Sequence, residues 1–184
     1  MSKYNTKEKE TTVLPGNHGD TVALLLNIGE WKNNFSEYHY KLLIARALNE
    51  CVHNERMNIA GYLITKRRVC LVLRIEPGRL DKMLEAFYGR VRKELRVHEE
   101  RMNLLYPGNR ASKANMIPEE LYVNPFKKYP LLNDYLVKLI TGQKVELPYY
   151  NPHLARLKDH IHHYNFCSAI DHAGATGPVI VKFK

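Results

Sequence analysis

Histidines crowd the end of the chain: His153, His160, His162, His163 and His172 all fall in its last stretch. His160-Ile161-His162 carries two imidazoles at alternate positions. On a strand they would share one face, where a pair of imidazoles can hold a divalent ion. Their neighbours argue for a different backbone. Leu154, Leu157, Ile161 and Tyr164 recur at helical spacing, and on a helix residues two apart diverge by about 200°. The spacing predicts a helix from Leu154 to about Phe166. His160 and His163 share one of its faces, and histidines suit the negative end of a helix dipole. No metal or other cofactor is assigned to this segment.

The other chemically versatile side chains are dispersed. Cys51, Cys70 and Cys167 lie far apart, without a CxxC pair. That excludes a disulfide framework and a cysteine zinc module.

The bases are not dispersed. The chain has 28 Lys and Arg against 19 Asp and Glu, a formal charge of +9. From Tyr62 to Lys113 there are 13 bases and six acids, whereas Met1 to Gly61 has seven of each. A basic block in an otherwise balanced chain points to a polyanion, most often nucleic acid. Lys66, Arg67 and Arg68 crowd one turn. Lys82, Arg92, Lys93 and Arg96 share the outer arc of a helix that can meet phosphates. Tyr88 and Tyr106 offer stacking surfaces for unpaired bases.

The elements that must position these groups follow from hydrophobic pattern. Met1 to Asp20 is polar, lacks the apolar region of a signal peptide, and reads as a flexible arm ending at Pro15-Gly16-Asn17. Val22 to Ile28 reads as a buried strand and Gly29 to Phe35 as a loop. Ser36 caps a helix to about Asn54, with Tyr38, Leu42, Ala45, Leu48 and Val52 inward. Ile59 to Ile75 reads as a hairpin closed at Lys66-Arg67-Arg68. Arg79 to about Met102 is an amphipathic helix with Leu80, Met83, Leu84, Phe87, Val91 and Leu95 on one arc. Arg110 to Tyr129 reads as irregular, Pro130 to Ile140 as a short helix, Thr141 to Pro152 as a connector, and Val179 to Val181 as a short edge strand.

The order predicts one α+β domain over residues 21–184, with a core at about 22–102 and a helical extension at about 130–172. The expected architecture is ferredoxin-like, a split βαβ antiparallel sheet with helices on one face. The longest apolar run, Val22 to Leu26, is too short to span a bilayer. A cytoplasmic protein without a membrane partner is the expectation.

The stretch Tyr62-Leu-Ile-Thr-Lys-Arg-Arg-Val-Cys-Leu-Val-Leu resembles the core segment of single-tyrosine transposases of the HUH class, which include the REP-associated and IS200-like enzymes. The hydrophobic positions Tyr62, Leu63, Ile64, Val69, Leu71, Val72 and Leu73 match. So do the flanking elements, over about Val22 to Met102, with an echo near Leu157 to Ala169. The family pattern places two metal-binding histidines at the positions that Arg68 and Cys70 occupy here. An always-protonated guanidinium has no lone pair for a metal, and one thiol is a poor ligand for a hard ion. The family's nucleophilic tyrosine falls at His160, within Asp159-His160-Ile161. Tyr164, one helical turn on, is the remaining candidate nucleophile; Tyr149 and Tyr150 lie in a Pro-flanked connector with nothing to activate them.

The resemblance therefore implies a transposase-like protein that binds hairpin or single-stranded DNA, works as a homodimer, and lacks metal-dependent strand cleavage. Two alternatives stay open. One is an active DNA-nicking enzyme using Tyr164 with Mg²⁺ or Mn²⁺. The other is a non-catalytic RNA-binding or regulatory module.

Overall fold

The computed structural model describes residues 13–14, 20–105 and 123–183. Tyr106 and the turns Pro15-Gly16-Asn17 and Pro107-Gly108-Asn109 lie outside them. The fold is α+β. Its centre is β2 (Asp20–Ile28), paired antiparallel along its length with β4 (Arg68–Ile75). On the far side of β4 lies β3 (Asn58–Ile64). On the far side of β2 lie two short strands, β1 (Val13–Leu14) against its start and β5 (Phe126–Pro130) against its end. Every pairing is antiparallel. Helix α1 (Glu37–Asn54) links β2 to β3 across β4, and α2 (Leu80–Leu105) links β4 to β5 across β2. Two interleaved βαβ units follow from that order.

Two corrections concern the strands. Val13–Leu14 belongs to the stretch expected to be a flexible arm, yet it pairs with β2. Phe126–Pro130 belongs to the stretch expected to be irregular, yet it supplies the fourth core strand. Its sequence suits an edge: Lys127 and Lys128 discourage further pairing, and Pro130 ends it where no N–H is needed.

Helices α1 and α2 share one face of the sheet, and the helical extension covers the other. The back face carries Val22, Leu24, Leu26, Val69, Leu71 and Leu73, which pack with Ile44, Leu48, Phe87, Val91 and Leu95 of α1 and α2. The front face carries Ala23, Cys70, Val72 and Leu63. They pack under α3 (Asp134–Ile140) and α4 (Pro152–His162), through Leu136, Val137, Ile140 and Ile161. The extension is thus the lid of a second core.

Helix α1 starts at Ser36, whose hydroxyl accepts the His39 N–H at 3.3 Å. Its inward face is rotated from the expected one. Tyr38 is 66% exposed, while Tyr40, Ile44, Ala47 and Cys51 are buried beside Ala45, Leu48 and Val52. Residues 30–34, expected to be loop, form a short 3-10 turn that buries Trp31 completely. The Trp31 N–H donates to Pro125 O at 2.8 Å, and its ring meets Phe35, Tyr40 and Phe126 edge-on. With the Gly29 N–H, which donates to the same Pro125 O at 3.0 Å, this side chain fastens the segment after β2 to the start of β5.

Val179 to Val181 is not a strand. The tail instead lies against β3 through Lys182 N–H to Ile59 O at 2.9 Å, and Asn49 clamps it at Pro178 O and Ile180 N–H. Farther along the same edge, Cys167 bridges to Leu63, and Ile64 N–H donates to Phe166 O. The outer edge of β3 is therefore covered at both ends. Ser168, fully buried, accepts the Tyr62 N–H at 2.8 Å and donates to Ile140 O. It knots β3, the end of α3 and the covering segment together. Among the described residues no helix is long and apolar enough to cross a membrane.

Candidate nucleic-acid interface

The α3–α4 lid covers only part of the front face. Along β2 the front-facing residues run from buried Ala23 to half-buried Leu25 and Asn27. Asn27 lies directly between Arg68 on β4 and Lys127 on β5. Opposed residues share a face, and strands lie about 4.8 Å apart. Arg68, Asn27 and Lys127 thus form a row across three strands, with the outer Cα atoms about 10 Å apart. Arg68 and Lys127 are exposed. Two residues along β5, on the same face, Tyr129 is 45% exposed beside Leu25. This is an open corner of sheet bearing two cations, an amide and an aromatic ring.

The hairpin turn extends the corner. Lys66 and Arg67 are exposed, and Tyr40 fixes the turn by donating its hydroxyl to Lys66 O at 2.9 Å. Thr65 Oγ1 accepts the Arg68 N–H at 3.1 Å, which stiffens the turn from within. Among the described residues no carboxylate lies within ion-pair distance of Lys66, Arg67, Arg68 or Lys127.

The helical bases stand differently. Arg92 is paired with Glu85 and donates to Val123 O. Arg90 pairs with Glu50. Lys82, Lys93 and Arg96 are exposed, but they belong to α2, which packs on the back face. The turn bases and the helical bases therefore lie on two sides of the sheet. Tyr88 is half-buried against Phe87 and Phe126, and burial pushes its hydroxyl up to about 12. It is packed aromatic mass, not a stacking platform.

The positions matched to the transposase active site divide as well. Arg68 and Cys70 face the same way, two residues apart on β4. Arg68 is open to solvent, whereas Cys70 is only 3% exposed within the second core. Burial pushes the Cys70 thiol up to about 11, against the opposing pull of Arg68. Helix α4 docks on that face through Ile161, which packs in the same core as Cys70. His160 is exposed and its ring lies 5.1 Å from that of Tyr164. Ile161 and its apolar neighbours, not imidazoles, fill the space around Cys70. Among the described residues no three His, Cys, Asp or Glu side chains are arranged to hold a metal ion.

Rebuilding the ligand pair should fail for this reason. The double change Arg68→His and Cys70→His forces a bulky polar ring under α4. It should cost about 1–3 kcal/mol by overpacking, with no rise in thermal midpoint on adding Mg²⁺ or Mn²⁺. A saturable metal-dependent shift would show the opposite.

Tyr164 sits past the end of α4, in a turn, half-buried. Its hydroxyl accepts from Lys41 Nζ at 2.6 Å, and Lys41 also donates to Glu37. Lys41 is only 5% exposed and lies over the Tyr164 ring. Burial alone would lower the lysine's affinity for its proton. Glu37 and Tyr164 reverse that and hold it above its ordinary range. Lys41 was not singled out from the sequence; its only signal there was the Glu37-to-Lys41 spacing of one helical turn. Asn27, Lys127 and Tyr129 carried no such signal, because only the sheet register brings them together. Tyr149 and Tyr150 are exposed in the connector before α4. No protein-family model, curated protein or solved structure matches the chain.

Proposed function

We propose that the protein binds single-stranded or hairpin DNA across the open corner of its sheet, without metal-dependent cleavage at Arg68, Cys70 and His160. The observation that carries this reading is the Arg68–Asn27–Lys127 row with Tyr129 beside it. Arg68 and Lys127 neutralise two backbone phosphates, and Lys66 and Arg67 extend the field around the turn. Tyr129 presents a ring on which an unpaired base stacks. Asn27 offers both a donor and an acceptor to a base edge. A duplex gives the ring nothing to stack on, which favours unpaired or looped nucleotides.

Fluorescence anisotropy with a hairpin and a single-stranded oligodeoxynucleotide tests the reading across a salt series. Affinity should fall steeply with salt. Removing two phosphate contacts in Arg68→Ala with Lys127→Ala should lower the salt slope by about 1.4, at roughly 0.7 per contact on single strands. Tyr129→Ala should cost about 1–3 kcal/mol of binding. Lys82→Ala with Lys93→Ala, on the back, should change binding much less. Equal effects of the front and back pairs, or binding insensitive to salt, would refute the assignment. Tighter binding of the matching RNA would turn the reading toward an RNA module.

One observation favours the active-enzyme alternative. The Lys41 ammonium donates to the Tyr164 hydroxyl oxygen at 2.6 Å, so a charged donor stands at the candidate nucleophile. That reading requires a covalent protein–DNA adduct in the presence of Mn²⁺, lost in Tyr164→Phe; the absence of an adduct removes it.

A further inference from the structure

A cavity of about 450 Å³ opens between the first turns of α1 and the last turns of α2. Both helices pack on the back of the sheet, so this cavity lies on the other side from the open corner. Its wall holds two guanidiniums, Arg46 and Arg101, and two imidazoles, His39 and His98, against one carboxylate, Glu94. Among the described residues neither arginine has a carboxylate within ion-pair distance. The imidazoles meet edge-on with ring centres 5.5 Å apart, and Phe35 packs on His98 at 4.4 Å. Tyr38, exposed at the rim, is braced edge-on by Phe166.

We propose that this cavity is an anion site that takes a phosphate group, distinct from the DNA-binding corner and independent of it. Arg46 and Arg101 supply fixed positive charge and forked donors suited to tetrahedral oxyanions. His39 and His98 each donate when protonated. The first turn of α1 adds the positive end of an 18-residue helix,. Burial, then His39 and then Arg101 hold His98 below its ordinary range, with Glu99 opposing. A bound dianion offsets those repulsions and favours protonation of His98. By linkage the site then holds its anion more tightly as pH falls through the histidine range. Glu94 works against the anion, and Tyr38 gives a nucleoside phosphate a ring to rest its base on.

Sulfate is a dianion across the whole range of interest, so it isolates the titration of the protein. Imidazole resonances should be followed by NMR while sulfate, inorganic phosphate and a 5′-mononucleotide are added in turn, at pH 6 and pH 8. Saturable shifts at His39 and His98 are expected, with sulfate bound several-fold tighter at pH 6. Arg46→Gln with Arg101→Gln should weaken all three anions roughly tenfold or more. Arg68→Ala with Lys127→Ala should leave them unchanged, which separates this site from the corner. A mononucleotide bound more tightly than phosphate, with the gain lost in Tyr38→Ala, identifies a nucleotide; equal affinities identify the phosphate group alone. No saturable shift at either histidine, or shifts that survive the double arginine change, would overturn the proposal.

Discussion

Trp31→Ala is expected to cost about 3–5 kcal/mol, the range for deleting a large buried aromatic. At this chain length that is a fall in thermal midpoint of roughly 6–20 °C. Trp31 is fully buried and meets three rings, so alanine leaves a cavity none of them can fill without moving. It also removes one of the two donors to Pro125 O, just before β5, leaving only the Gly29 N–H at 3.0 Å. Trp31→Phe separates the two effects: it keeps most of the ring and loses the N–H, at about 0.5–1.5 kcal/mol, because Pro125 O keeps the Gly29 N–H,. Because Trp31 helps to position the strand that carries Lys127 and Tyr129, Trp31→Phe should also weaken the proposed DNA binding at temperatures where the protein is folded. Urea titration followed by circular dichroism measures the first effect, and anisotropy the second. A loss under about 1 kcal/mol in Trp31→Ala would mean that the ring is not the fastening described above.

Gly61→Val should be as damaging, by a different route. A Cβ at Gly61 would lie 2.5 Å from Ile140 O and 2.9 Å from its carbonyl carbon. Those are backbone atoms at the end of α3 and cannot swing aside. The added side chain pushes α3 off the sheet and strains the Ser168 knot, at about 3 kcal/mol or more. The damage should stay local to the front core. Cys70 and Cys167 lie in that core, and Cys51 lies in the back one. Burial raises all three thiols to about 11 and protects them in the native protein. In Gly61→Val, two thiols should react with Ellman's reagent well before the third. Three equal rates would point to global unfolding instead.

Much of this fold was legible in the chain. Helix α2 stood out because its buried residues keep a helical period, as Met83, Leu84, Phe87, Val91 and Leu95 do, and the hairpin because two apolar runs flank a basic turn. Two-sided burial was written in Val22–Leu26 and Val69–Leu73, since an unbroken apolar strand must be covered on both faces. The helical extension supplies the second cover. Helix α1 was misphased because Lys41 counts as polar in any pattern, yet Glu37 and Tyr164 let it be buried. β5 was missed because five residues with two lysines and a terminal proline show no period. The 3-10 turn around Trp31 is too short to show one. The open corner was the least legible part. Arg68, Asn27 and Lys127 belong to three separate strands, and only register makes them neighbours.

The pairing of β2 also orders how the molecule assembles and opens. Leu24 finds Leu71 after 47 residues but Pro130 only after 106. By loop-closure entropy alone the second contact costs about 0.7 kcal/mol more. The tight hairpin of β3 and β4 closes at the least cost, β2 joins it next, and β5 docks last with only one neighbour to hold it. What closes last with one neighbour opens first, so hydrogen exchange in β5 should outpace that in β2 and β4. Lys127 and Tyr129 ride on that strand. A nucleic acid spanning β4 and β5 would act as an external clasp, slowing the fraying of the strand that helps to grip it.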